Sequence, residues 1–270
     1  MTFVTIGTAS HPGMRKAENE DALAYFSPEE GRQHKKGLLL ALADGMGGRR
    51  GGAIASKIAV ELLMEEYYKD YFNSIPDSLQ QAFFKVNTEV IAKGQADWNL
   101  EGMATTLTAV VLKDDKLYYA HVGDSRAYII YNTEILPLTE DHSYVASLVK
   151  AGAITEEQAL THPQANIITK AIGISPELSI DISREHLNLQ QGQYILICCD
   201  GLYKVVPEKE LLEIVNEYPK PDVACEKLVE KANEYGGPDN ITVLVARVDK
   251  INLLQSILRK VMNPLRGNRK

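Results

Sequence analysis

GLLLALADGMGG, residues 37–48, sets six apolar residues, Leu38 to Ala43, directly against Asp44 and a glycine-dense turn. The run reads as a β-strand that ends in an acid. Five similar runs follow it: TTLTAVVL at 105–112, KLYYAHV at 116–122, RAYIIY at 126–131, QYILICC at 193–199 and ITVLVARV at 241–248. They are rich in β-branched residues and tyrosine, which suit a pleated surface. Asp114-Asp115 separates two of them and Asn132-Thr133 follows a third, so hairpins are expected there. Helical spacing of apolar residues appears at 53–72 and 78–93. PEKELLEIVNEY at 207–218 and PDVACEKLVEKANEY at 221–235 each carry a proline suited to a first helical turn. Strands that neighbour in sequence, with helices clustered apart from them, predict antiparallel sheet faced by helices rather than βαβ alternation.

The 270 residues are 45% hydrophobic and 24% charged, an ordinary globular composition with ample length for a core. No apolar run approaches the length of a membrane span, and the N-terminus lacks the basic-then-apolar order of a secretory signal. Three cysteines, two of them adjacent (Cys198, Cys199), make no disulfide framework and read as buried residues in a reducing, cytoplasmic setting. The net charge of −7 is uneven. Residues 250–270 hold six basic side chains and no acid, which leaves −13 on residues 1–249. A body so acidic argues against nucleic acid as a partner.

Five acids stand at strand ends. Asp44, Asp124 and Asp200 follow apolar runs, while Asp21 and Asp239 precede them. In an antiparallel sheet the end of one strand lies beside the start of its neighbour, so all five can meet on one edge. Carboxylates gathered in one place repel unless cations neutralise them, and hard oxygen ligands favour Mg²⁺ or Mn²⁺. Asp beside Gly is equally the composition of a plain turn. The six histidines are scattered without zinc-ligand spacing, and His121 reads as a hydrogen-bonded core residue. Nothing cationic lies near Cys199 in sequence to activate it, and no GxxxxGK[ST] phosphate loop is present.

Taken in order, NED at 19–21, ADGMGG at 43–48 with GGAIAS at 51–56, GMATT at 102–106, HVGDSRAY at 121–128, LTEDHS at 138–143, ITKAIG at 168–173, ILICCDGLY at 195–203 and GGPDNITV at 236–243 resemble one family. It is the metal-dependent protein serine/threonine phosphatases of the PP2C (PPM) type, in its bacterial branch. The resemblance spans about residues 5–248 and implies an α+β fold, an αββα sandwich of two antiparallel sheets flanked by helices. It implies hydrolysis of phosphoserine and phosphothreonine in phosphorylated proteins by a water activated between two metal ions, and a cognate Ser/Thr kinase as the opposing partner. By the resemblance, Asp44 bridges both ions and the Gly45 carbonyl binds one. Asp200 and Asp239 hold the other, Glu20 reaches the site through water, and Asp124 matches the place of a third, weaker ion. Residues 143–170 fall where the family has its flap. The competing readings are a phosphatase-like binding module that is catalytically weak and a hydrolase of small phosphate esters.

Two positions depart from the family pattern. Where it has a phosphate-binding arginine, this chain has Lys16, with Arg15 one residue earlier, and only arginine grips two oxygens with a planar fork. Met46 stands where some members carry a histidine, so no side chain is assigned as leaving-group acid. The phosphatase domain is placed at 1–249. In the tail at 250–270, Ile251, Leu254, Leu258, Val261 and Leu265 recur at helical spacing opposite basic residues, which suits either a helix packed on the phosphatase body or a frayed end, or else docking on a partner or on anionic membrane.

Overall fold

The computed structural model describes residues 3–26, 36–47, 51–69 and 74–251. Two antiparallel sheets pack face to face. The first runs in the order β1 (Phe3–His11), β12 (Ile241–Lys250), β11 (Tyr194–Cys198), β7 (Arg126–Tyr131), β8 (Glu134–Pro137). The second runs β10 (Leu187–Asn188), β6 (Lys116–Val122), β5 (Leu107–Lys113), β3 (Leu38–Met46), β2 (Asp21–Phe26). Two short strands are attached to it, β4 (Ala104–Thr105) on β3 and β9 (Asp181–Ile182) on β6. Helices α1 (Gly51–Tyr67) and α2 (Ile75–Ala96) cover the second sheet, while α6 (Glu208–Glu217) and α7 (Pro221–Glu234) cover the first. The result is the expected αββα sandwich.

The strand β3 explains the opening run. It lies between β2 and β5, with a helix layer on one face and the other sheet on the opposite face. Leu39, Ala41 and Ala43 meet α1 and α2, among Ala55, Leu63, Phe83 and Val86. Leu40 and Leu42 point the other way and pack against Ile195, Ile197, Leu244 and Ala246. Alternation is present, but both faces are dry, so every position is apolar. On the other side of the sandwich Leu196, Val243 and Val245 pack with Leu211, Leu228 and Val229 of the second helix pair.

Both expected hairpins form. Asp114 (φ 56°) turns β5 into β6 and Asn132 (φ 53°) turns β7 into β8, each in the left-handed region that Asp and Asn tolerate best. The helices also agree, with α1 starting two residues before the expected 53 and α2 capped by Ser74, whose Oγ accepts from the Asp77 backbone N–H. Sequence patterning did not foresee β1, β8, the short strands β4, β9 and β10, or three short helices: α3 (Tyr144–Lys150), α4 (Glu156–Leu160) and α5 (Asp200–Tyr203). Most of the basic tail, residues 252–270, lies outside the described residues, as do Arg49 and Arg50 of the glycine-dense run.

Candidate active site

The five strand-end acids meet at one end of the sandwich. Asp44 and Asp21 are register partners across β3 and β2. Each offers a carboxylate oxygen within 4.8 Å of the other and of the Cys199 Sγ. Asp239 sits just before β12 and Asp200 just after β11, and these two strands pair through Cys198 and Val243. Asp124 follows β6. Asp44 feels the field of all four other acids, and burial together with their repulsion pushes its pKa well above the usual carboxylate value. Burial likewise raises Asp21 to about 6, with Asp200 and Asp239 adding repulsion. It raises Asp124 to about 7, with Asp200 again adding to it.

The backbone that presents these groups is tightly held. The Asp44 N–H donates to Thr106 Oγ1 at 2.8 Å, while the Asp44 carbonyl accepts from Thr106 N at 2.9 Å and from Thr105 Oγ1 at 2.9 Å. Thr106 Oγ1 also bonds Ser125 Oγ at 2.8 Å, which ties the GMATT and GDSR segments together. Gly45 must be glycine because a Cβ there would lie 2.2 Å from the Gly52 carbonyl oxygen at the start of α1. That close approach brings Glu20 to the helix N-terminus, where its carboxylate accepts from the Ala53 N–H. Burial still raises the Glu20 pKa, because the lowering by Lys16 and this bond does not outweigh it and Asp239 adds repulsion.

Asn240 closes the other side. Its Nδ2 donates to the carbonyls of Pro12 (3.0 Å) and Glu18 (2.9 Å), and its Oδ1 accepts from the Glu20 N–H (2.9 Å). The 12–20 loop is thereby fastened beside Asp239. On that loop Lys16 Nζ lies 2.5 Å from Asp239 Oδ1. Partial burial alone would lower the Lys16 pKa, but Asp239, Glu20 and Asp44 together raise it. Arg15 is exposed and forms no ion pair among the described residues.

Several motif residues have framework roles that spacing alone did not reveal. Arg126 of GDSR is not free for phosphate. It forms a two-point bond to Asp141 at 2.8 and 2.9 Å and lies 3.9 Å above the Tyr203 ring. His142 accepts from the Gly123 N–H at 3.0 Å through Nδ1, and its own backbone N–H donates to the Gly123 carbonyl at 2.7 Å. His121 is fully buried, stacked on His142 and bonded to Thr108 Oγ1 and the Gly123 carbonyl, as expected of a core histidine. Cys199 donates to the Asn240 carbonyl, and burial pushes its thiol pKa far up, so it stays neutral. The segment at 143–170, where a flap is expected, carries α3 and α4 and approaches the site at Asn166, whose Oδ1 accepts from Lys204 Nζ at 3.2 Å. Its base is fixed by Tyr144 N to the Ile167 carbonyl (2.8 Å) and Thr169 N to the His142 carbonyl (2.7 Å).

The donor set fits divalent cations. Both oxygens of Asp21 are buried without a hydrogen-bond partner among the described residues. Such a cost is sustained where a counter-charge is meant to arrive. All available ligands apart from the neutral Cys199 are hard oxygens, the choice of Mg²⁺ and Mn²⁺ rather than zinc.

A sandwich of this topology with a cation-ready carboxylate cluster at one end defines a metal-dependent phosphatase. Residues 12–234 match the family model "Protein phosphatase 2C". The chain is 35% identical over 241 residues to the serine/threonine phosphatase Stp of Listeria monocytogenes, covering 88% of this chain and 93% of that one. Its fold matches a Streptococcus agalactiae serine/threonine phosphatase with a TM-score of 0.83 and 35% identity, covering 92% of this chain and all of the other (100%). It also matches the PstP catalytic domain solved in complex with two manganese ions, with a TM-score of 0.77, 32% identity and coverage of 92% and 99%. The chain belongs to the protein phosphatase 2C family and is a metal-dependent protein serine/threonine phosphatase.

Proposed function

We propose that residues 1–249 form the phosphatase domain and that the carboxylate end of its sandwich hydrolyses phosphoserine and phosphothreonine esters in proteins. The supporting observation is the gathering of Asp21, Asp124, Asp200 and Asp239 around the buried carboxylate of Asp44, with the Lys16 ammonium at its rim on Asp239. Asp44, the Gly45 carbonyl, Asp200, Asp239 and, through water, Glu20 are the residues that would hold two Mg²⁺ or Mn²⁺ ions. When bound, such a pair supplies an activated water and neutralises phosphoryl charge. The chain's own residues do the rest. Thr105 and Thr106 hold Asp44 in place, Asn240 fixes the loop, and Lys16 orients the phosphoryl oxygens. The water oxygen bonds to phosphorus as the bond to the Ser or Thr oxygen breaks, releasing the hydroxyl side chain and inorganic phosphate. No side-chain nucleophile is required, in keeping with the neutral thiol of Cys199.

The test is release of phosphate from a phosphothreonine peptide, a mononucleotide and p-nitrophenyl phosphate with millimolar Mn²⁺. The peptide is the preferred substrate, EDTA abolishes turnover, and Asp44→Asn lowers it roughly 10³-fold, as loss of several kcal/mol of charge stabilisation implies. Preference for the nucleotide would instead mark a small-ester hydrolase, and no turnover at all a binding module. We further infer a cognate Ser/Thr kinase as the enzyme opposed. We also infer a cytoplasmic location, brought to the membrane or to a partner by the tail at 250–270. Among the described residues no helix is long and apolar enough to cross a membrane. Deleting 252–270 is expected to leave p-nitrophenyl phosphate turnover unchanged and to reduce sedimentation with anionic liposomes.

A further inference from the structure

Lys204, one turn beyond Asp200, lies outside every role assigned so far. Its Nζ is 2.6 Å from Asp200 Oδ2 and 3.6 Å from Asp124 Oδ2. The same ammonium donates to Asn166 Oδ1, in the flap beyond α4, at 3.2 Å. Asp124 is only 3% exposed and Lys204 25%, so this is an enclosed contact rather than a surface pair. The Asp124–Asp200 pair is the place where a third ion is expected, and it already contains a covalently tethered cation.

We propose that the Lys204 ammonium takes the place of a third divalent ion between Asp124 and Asp200, and that through Asn166 it clips the flap to that pair. The proposal rests on the two-ion phosphatase reading above. Charge balance supports it. Six carboxylates face the site: Glu20, Asp21, Asp44, Asp124, Asp200 and Asp239. Two divalent ions together with the ammonium groups of Lys16 and Lys204 neutralise them, and a third divalent ion would overshoot. Coordination geometry supports it as well. An ion needs oxygen ligands on several sides, whereas here one side of the carboxylate pair is filled by the lysine stem and its bond to Asn166. Lys204 is a positioning residue in this scheme. Unlike an exchangeable ion, its charge cannot be removed by a chelator, so the flap anchor persists when the two catalytic ions are stripped.

The experiment is calorimetric titration of Mn²⁺ into the chelator-stripped full chain, paired with hydrogen exchange of flap amides 161–169. The wild type is expected to bind two ions. Lys204→Met, which keeps the apolar stem, is expected to bind one more, and adding Asp124→Asn to Lys204→Met removes the extra ion. Lys204→Arg retains the wild-type stoichiometry. Flap amides in the stripped protein exchange at least several-fold faster in Lys204→Met than in the wild type. The proposal is overturned if the wild type binds a third ion that Asp124→Asn abolishes, if Lys204→Met leaves the stoichiometry unchanged, or if flap exchange does not respond. Failure of every protein to bind Mn²⁺ would overturn the two-ion reading itself, a distinct result from any of these.

Discussion

Lys16 sits between two tasks. Its ammonium lies 2.5 Å from Asp239, and on the proposed function it turns to the phosphoryl oxygens when substrate binds. A point charge does this more readily than a guanidinium locked in a two-point grip, which is how Arg126 is held by Asp141. Lys16→Ala is therefore expected to raise KM for a phosphopeptide by roughly tenfold or more, the worth of one charge-assisted hydrogen bond, with a smaller fall in kcat. Arg15→Ala, at an exposed site without an ion pair among the described residues, is expected to change KM less than about fivefold, because an exposed charge pair is worth under about 1 kcal/mol. Steady-state kinetics on both variants checks the ranking. The reverse order would place Arg15 at the phosphate instead.

At the scale of elements, the site depends on a loop fastened to a strand. Asn240 makes three hydrogen bonds to the 12–20 loop and is only 5% exposed. Asn240→Ala removes all three and strands their partners, a cost of about 2–3 kcal/mol. That lowers the melting temperature by roughly 5–10 °C and weakens Mn²⁺ binding as Glu20 loosens. Differential scanning fluorimetry with and without Mn²⁺ reads both effects, and an unchanged melting point would show the loop to be held otherwise. The legibility of the elements followed their burial. Strand β3 announced itself because both of its faces are dry, and α2 because one side of it is. Strand β1, FVTIGTASH, is an edge strand with mostly half-exposed positions, so polar residues interrupt its pattern. Helix α5 is four residues long and exists to carry Asp200, too short for any period to register. The acids were legible as a group because antiparallel pairing brings strand ends together. Asn240, Thr106 and Lys204 were not, since a residue that acts by bonding a distant backbone or a distant carboxylate leaves no mark in local spacing.

For the molecule as a whole, the acid cluster makes stability depend on pH and metal together. Asp21 (about 6), Asp124 (about 7) and Asp44 all titrate above their unfolded values near 3.9, so the folded state holds extra protons. Their contribution is present at low pH and is lost as pH rises through the folded values. His121 works in the opposite sense. Burial lowers its pKa to about 4, so its contribution is present above about pH 6.5 and fades as pH falls toward 4. Burial lowers His142 in the same direction, and because both histidines take up protons in the unfolded chain near pH 6.5 they oppose the carboxylates between about pH 6.5 and pH 8; comparing melts with and without Mn²⁺ at each pH cancels their contribution. The rise in melting temperature on adding Mn²⁺ is expected to be larger at the higher pH, because cations bind the ionised form. Thermal melts in EDTA and in Mn²⁺ at both pH values provide the check. An equal Mn²⁺ shift at the two would contradict a site held protonated until metal arrives.

Strand β12 carries a consequence for how the protein is made. It is an interior strand, flanked by β1 on one side and β11 on the other, and it follows directly on Asp239. The ribosome delivers β1 more than two hundred residues before the partner against which it pairs. Until then the first sheet is split, one of its edges is bare and the carboxylate set is one member short. Closing contacts of such long sequence separation is slow. A nascent chain can therefore build the core beneath α1 and α2 early, whereas the rest of its core, the closure of the first sheet and the full carboxylate set all wait for β12.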